Sequence, residues 1–424
     1  MEGSARRSRR TFLKGAAGTA VMAPLGIAAD MAGESTDHQQ AILGLFATLP
    51  GDKAVRILAP AAKGKPAFSV EINAERQFFV GSAVKTFILA EALRQADTPD
   101  VVQTLQAKQL ALDASVWNLD SATFNPPNLI GAVSERTTLE AMIQHSDNTG
   151  TDMSLKLVGP DNVRRFIASA QLSNTAIPDS TRSLFGYLLG AKDYKTFSWM
   201  QLIAATNSPM VNSPFNKEQT MASSAADFVS YYSRALQGEF FKNKETLNEY
   251  RRILSLGDAI WLLPLPLGGS AFCKGGSIDV PGFHAVCAPG GMVFEDRWVY
   301  FAFIINWQAA AVTDPQTVAD FVKAAGQAMK MVKDALATTW RGAALTAAGN
   351  PQRLLKRPYS DAGSCTSSGL RVGLSQVSRV SRWFCGIAVH PAVPCVEFRQ
   401  MWRKTHDPLP GTGGLASLFM SPPL

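Results

Sequence analysis

From residue 37 onward the apolar positions fall into two periods. Helical spacing predicts a first helix over Gln39–Leu49 and a last one over about Thr317–Thr339, whose Val318, Phe321, Val322, Ala325, Met329, Val332 and Leu336 share one face. Short β-rich runs predict strands at Val55–Pro60 and Phe68–Ile72, on either side of a turn containing Gly64. Three further strands follow at Ala271–Ser277, His284–Ala288 and Trp298–Asn306, separated by Pro and Gly turns. A helix beginning at Ser82 and continuing over Thr86–Gln95 leads into a middle region rich in helical signals. Strands at both ends with helices between them describe an α+β domain over residues 37–340, its sheet closed by the terminal helices. No internal repeat interrupts this plan.

The two ends are different in character. Arg9-Arg10-Thr11-Phe12-Leu13-Lys14 follows Ser8 and precedes a weakly apolar, small-residue stretch from Gly15 to Ala29. A charged start, a modest apolar middle and small residues near Ala28 predict a cleavable twin-arginine signal over residues 1–32. That implies the twin-arginine export machinery as a partner and a periplasmic or secreted location. Residues 341–424 hold eight prolines with much Ser and Gly and no sustained period, so a low-order basic tail is expected there. The apolar run Trp298–Trp307 is too short to cross a bilayer, and the mature form is expected to have no membrane span.

Charge excludes one class of partner. The formal net charge is +7, but the tail alone carries ten basic and three acidic residues, and residues 34–340 are left at −3. A mildly acidic body has no basic stripe to track a phosphate backbone, so no nucleic-acid partner is expected. The five histidines show no metal-ligand spacing, and neither a metal nor another cofactor is implied.

Three short motifs carry the chemistry. Gly81-Ser82-Ala83-Val84-Lys85-Thr86-Phe87 sets a lysine one helical turn after a serine, on the same face. An amine kept neutral by burial and neighbouring positive charge can take the serine proton. Alone this is weak, because Ser-x-x-Lys arises by chance on the order of once or twice in such a chain. Ser146-Asp147-Asn148 alone reads equally well as a helix cap, and Lys274-Gly275-Gly276-Ser277 as a strand end with a Gly turn. Their order decides: Ser-x-x-Lys, then Ser-Asp-Asn, then Lys-(Thr/Ser/Gly)-Gly on a strand is the signature set of class A β-lactamases and penicillin-binding proteins.

Over residues 37–340 the chain resembles the class A β-lactamase-like serine hydrolases. Leu139–Gly159, ending in Gly159-Pro160, and Gln219-Thr220-Met221, expected to open a helix, add to the likeness. The resemblance implies a class A β-lactamase/transpeptidase-like fold: a mostly antiparallel sheet with flanking terminal helices and an all-helical subdomain. It implies Ser82 as nucleophile, Lys85 as the base, directly or through water, and Ser146 as the relay to the leaving nitrogen. Asn148 would hold Lys85 and the substrate amide, and Lys274 the substrate carboxylate. The backbone N–H groups of Ser82 and Ser277, beside Gly276, would form the oxyanion hole. The partner is a small β-lactam or peptide-like molecule.

Two departures leave the reaction open. Gly275 stands where the family usually has Thr or Ser, which removes a hydroxyl from the carboxylate site. Between Gly159 and Thr220 no glutamate occupies the family's Glu-x-x-Leu-Asn context, and Asp179 in Ile177–Leu184 is the one candidate deacylating carboxylate. Three readings therefore compete: turnover of β-lactams, an exported amidase, esterase or DD-peptidase-like enzyme on another substrate, and a module that acylates and stalls. Cys273 and Cys287 would face each other if the hairpin turned around Val280; they are either bonded or unpaired buried thiols.

Overall fold

A computed structural model describes residues 37–347 apart from 63, 64 and 295, with the side chains of 261 and 338–347 left out. The expected signal and nearly all of the expected tail lie outside the described residues.

After helix α1 (37–47) the chain enters β1 (Asp52–Ala59), β2 (Phe68–Ile72) and the short β3 (Phe78–Phe79). A single 3-10 turn, Gly81–Val84, runs into α2 (Lys85–Gln95), followed by α3 (Val101–Ala107) and the ribbon β4 (Gln109–Leu112) and β5 (Gly131–Ser134). Helices α4 (Glu135–Gln144), α5 (Asn148–Val158), α6 (Pro160–Ser169), α7 (Thr181–Leu188) and α8 (Trp199–Ala204) come next. Then come β6 (Ala222–Ser223), α9 (Ala225–Ala235), α10 (Lys244–Leu254) and α11 (Ala259–Leu262). The last strands are β7 (Gly269–Cys273), β8 (Gly276–Val280), β9 (Phe283–Phe294) and β10 (Arg297–Trp307), before α12 (Pro315–Ala347).

β2, β1, β10, β9 and β7 lie side by side in that order, β8 also pairs with β9, and every pairing is antiparallel. The alternation of strand side chains sorts residues into two cores. On β10, Val299, Phe301, Phe303, Ile305 and Trp307 face the terminal helices, where they meet Phe46 of α1 and Phe321, Met329 and Val332 of α12. Tyr300, Ala302 and Ile304 face the other way, onto the helical half with Phe87, Phe228 and Tyr231. Helix α2 is the centre of that second core: every residue from Lys85 to Leu93 is buried, and only its last two are exposed, so an enclosed stretch of helix carries a lysine at its first position.

The α+β class and the mostly antiparallel sheet are as expected. Several boundaries differ. Gln219-Thr220-Met221 opens no helix: the chain makes the two-residue β6 first, and α9 begins at Ala225 with the Ser224 hydroxyl capping Asp227 N–H. The middle is not purely helical, since β4 and β5 pair inside it, and α12 continues past residue 340 to Ala347. The expected strand Ala271–Ser277 is broken at Lys274-Gly275 into β7 and β8, which sets the Lys274 side chain at a discontinuity in the sheet.

That break and the turn decide the cysteines. The β8–β9 hairpin closes through Pro281-Gly282 with Val280 opposite Phe283, later than a turn centred on Val280. Cys287 therefore faces Gly276 and Cys273 faces Gly290, so the two are not cross-strand partners. Both are buried free thiols. Burial pushes the Cys273 and Cys287 thiols well above the usual range, which makes them inert packing groups.

Candidate active site

The centre of the site is a contact between backbones. A Cβ on Gly276 would lie 2.1 Å from Val80 O and 2.7 Å from Ser82 N, and one on Gly81 would lie 2.8 Å from Ser277 N. Only glycine at both positions lets the start of β8 run against the 3-10 turn that presents Ser82. The N–H groups of Ser82 and Ser277 thus belong to two adjoining backbones, the arrangement an oxyanion hole requires.

Lys85 is fully buried behind Ser82. Its Nζ donates to the Ser146 carbonyl at 2.5 Å and to Asn148 Oδ1 at 2.8 Å, and lies 3.2 Å from Ser146 Oγ. Ser146 holds φ +55°, a left-handed conformation costing roughly 1–2 kcal/mol for a residue with a Cβ. That conformation turns both its carbonyl and its hydroxyl toward the amine. Asp147 holds the corner in place by accepting from Gly150 N–H at 2.8 Å, capping α5, and from Thr123 and Phe124 N–H of the preceding loop.

Lys274, also fully buried, stands on the other side of the same hydroxyl, with Nζ 3.2 Å from Ser146 Oγ. It donates to Asp258 Oδ2 at 2.5 Å and to the Gly275 carbonyl at 2.7 Å. Burial lowers the Lys85 pKa first and the Lys274 charge lowers it further, against the raising effect of Asp147, Asp258 and Asp152, to about 7. Burial also holds Lys274 below the usual lysine range, opposed by Asp258. An amine that loses its proton near neutrality, one turn from a serine hydroxyl and beside a second hydroxyl, can act as base and pass a proton on.

Residues 51–260 match the model of the β-lactamase enzyme family, a span that includes Ser82, Lys85, Ser146 and Asn148 and ends before Lys274. Among solved structures, the TLA-1 extended-spectrum β-lactamase is 16% identical, with 72% of this chain and 99% of that chain covered and a TM-score of 0.54. A class A β-lactamase representative from Bacteroides cellulosilyticus DSM 14838 is 17% identical, with 72% and 98% covered and a TM-score of 0.54. The chain has the class A β-lactamase fold. A structure of PBP-A is similar as well, at 16% identity, 70% and 97% coverage and a TM-score of 0.52. No curated protein sequence matches significantly.

In this site hydrogen bonds join Lys85, Ser146, Asn148 and Lys274, and the backbones of Ser82, Gly276 and Ser277 adjoin. Asp179 does not join them. Its Oδ1 accepts from Arg164 at 2.6 Å and its Oδ2 from Gln219 at 3.0 Å, so it anchors the loop before α7. Partial burial works against its charge, but the Arg164 hydrogen bond and charge outweigh this and keep its carboxyl below the usual range. The residue that follows this loop, Thr181 at the start of α7, reaches the site: its Oγ1 lies 3.3 Å from the Asn148 carbonyl and donates to the buried Asp152 at 2.6 Å.

Four further residues were not visible as site residues in the sequence: Asp258, Asp152, Asn118 and Asp120. Asn118 donates to Asp152 at 2.8 Å and to Thr181 at 2.7 Å. Asp120, at φ +53°, accepts Asn148 N–H through its carbonyl, beside the Leu119 carbonyl that receives Asn148 Nδ2. Burial mainly, with the Asp147 charge adding and Lys85 opposing, raises the Asp120 carboxyl to about 7. A Ser or Lys in a motif announces itself; a single Asp or Asn outside one has no such signal.

Proposed function

We propose that the chain is a serine hydrolase that cleaves an amide or ester through an acyl-enzyme on Ser82. Neutral Lys85 takes the Ser82 hydroxyl proton as Oγ bonds to the substrate carbonyl carbon. The oxyanion is held by the N–H groups of Ser82 and Ser277. Collapse of this intermediate breaks the bond to the leaving nitrogen or oxygen, which receives a proton through Ser146 Oγ. Water then hydrolyses the ester and restores Ser82. Asn148, fixed by Lys85 at one end of its amide and by the Leu119 carbonyl at the other, orients the amine.

The observation that carries this reading is Ser146 Oγ, 3.2 Å from the Nζ of each of two buried lysines. No structural purpose requires two amines to converge on one hydroxyl, and their mutual repulsion destabilises the fold. Labelling by a fluorophosphonate, located on Ser82 by peptide mass and lost in Ser82→Ala, tests it; an unlabelled Ser82 in the folded protein overturns it.

A slow second half-reaction is favoured by the Thr181–Asp152 pair. Where the loop meets the site helix it offers a hydroxyl already committed to a buried carboxylate, which suits it poorly to activating water. This supports a stalled or slowly resolved adduct over rapid β-lactam turnover. A chromogenic cephalosporin and intact-mass lifetime of a penicillin adduct separate the two. For location, we propose export through the Arg9-Arg10 segment, checked by whether replacing both arginines with lysine leaves the protein in the cytoplasm.

A further inference from the structure

The fully buried ammonium of Lys274 is the site's natural anion anchor, but an acid of the same chain has reached it first. Asp258 Oδ2 accepts from Lys274 Nζ at 2.5 Å, and Oδ1 accepts from Gly275 N–H at 2.6 Å. The carboxylate therefore clamps both the cation and the backbone at the break between β7 and β8. Its side chain is 33% exposed while that of Lys274 is wholly enclosed, so Asp258 lies between the cation and solvent. A Cβ at position 275 would fall 3.0 Å from Asp258 Oδ1. A side chain at 275 would press on this carboxylate, and glycine leaves it uncrowded. The nearest other amine, Lys85, is committed to Ser146 and Asn148. On α10, the helix packed against β7, Arg251 donates to the Leu236 carbonyl and Arg252 is engaged by Glu249 and Glu140.

We infer that Asp258 is a specificity-determining residue that neutralises the anion anchor, so that the site takes acyl donors uncharged beside Lys274 and rejects those bearing a carboxylate there. A substrate carboxylate entering this space would meet Asp258 across a shared ammonium, in a half-enclosed setting where like charges repel strongly. A neutral ester or amide carbonyl would meet an ion pair with no net charge and lose nothing. The substrate class is therefore an ester or amide without a free carboxylate next to the reacting carbonyl, such as an internal peptide-like or esterified donor. This rests on the reading of Ser82 as nucleophile.

The test compares benzylpenicillin with its methyl ester on the full chain, reading the rate of adduct formation on Ser82 by intact mass. Fluorophosphonate labelling of Ser82 is measured alongside, so that a failed nucleophile is distinguished from a failed specificity. The wild type is expected to be acylated by the ester at least about tenfold faster than by the acid, the scale of one charged hydrogen bond. Asp258→Asn and, independently, the Gly275→Thr variant that crowds Asp258 should each shift the ester-to-acid ratio toward the acid by about tenfold or more. Equal rates for acid and ester in the wild type, an unchanged ratio in both variants, or failure of the ester to acylate a protein that accepts fluorophosphonate each overturns the proposal.

Discussion

Lys85 Nζ donates to the carbonyl of Ser146 at 2.5 Å, a bond that the left-handed backbone of Ser146 makes possible. With the second donation, to Asn148 Oδ1, it fixes how the amine is oriented, and the role assigned to each residue follows from it. Ser146→Ala keeps the carbonyl and loses the relay; Ser82 acylation is expected to slow by about 10²–10⁴-fold, the range for a general acid–base group, with the fold intact by circular dichroism. Lys85→Arg should be as inactive as Lys85→Ala, because a guanidinium does not give up its proton. Stopped-flow labelling of Ser82 distinguishes these outcomes from a modest structural effect.

The depressed Lys85 pKa makes acylation pH-dependent. The base is the neutral amine, so the rate should fall about tenfold per unit below the transition and level off above it, with the bend near the Lys85 value of about 7. Charge sets the direction of two displacements. Lys274 lowers the Lys85 pKa, so Lys274→Met moves the bend to higher pH, and Asp258, left without its partner, pushes the same way. Asp258 raises it, so Asp258→Asn moves the bend lower. Asp120 titrates in the same range, and the profile read in Asp120→Asn isolates the lysine. A bend unmoved in both Lys274→Met and Asp258→Asn would remove Lys85 from the role of base.

The parts legible in the sequence are those that one local rule encodes. β10 alternates between two cores because both sheet faces are covered, and its unbroken apolar run announces that. Ser82, Lys85, Ser146 and Lys274 were legible because three ordered motifs exclude coincidence. Asp258 was not, because its relation to Lys274 depends on Gly275 having no side chain and on the corner before α11 closing onto the sheet. The same closure explains why Gly275 reads in the sequence only as a missing hydroxyl. The cysteines were misplaced by the turn: a hairpin closing at Pro281-Gly282 shifts every cross-strand partner, so Cys273 meets Gly290.

The carboxylate of Asp152 is a structural group, and its removal should be costly. Fully enclosed in α5, it accepts from Thr181 N–H at 2.7 Å, Thr181 Oγ1 at 2.6 Å, Asn118 Nδ2 at 2.8 Å and Arg182 N–H at 3.1 Å. Asp152→Ala leaves buried donors unpaired and should lower stability by roughly 3 kcal/mol, at about 1–3 kcal/mol for each orphaned group after partial relaxation. Asp152→Asn retains one acceptor oxygen and should lose less. Urea midpoints at constant slope report both; a loss within the noise of a surface substitution would show that the loop before α7 is held by other contacts.

Asp179 separates anchoring from catalysis most directly. It pairs with Arg164 at 2.6 Å, but their side chains are 28% and 37% exposed, so solvent screens the pair and Asp179→Asn should cost only about 1 kcal/mol of stability. If Asp179 activated the deacylating water, the same variant would lengthen the adduct lifetime by about 10²-fold or more, as loss of a general base does. The engagement of both its oxygens by Arg164 and Gln219 leads to the opposite expectation: an adduct lifetime within a few-fold of wild type and unchanged acylation. Adduct decay followed by intact mass decides it. A hundredfold longer lifetime in Asp179→Asn would mean that the loop swings this carboxylate into the site during turnover, and that deacylation runs through Asp179 after all.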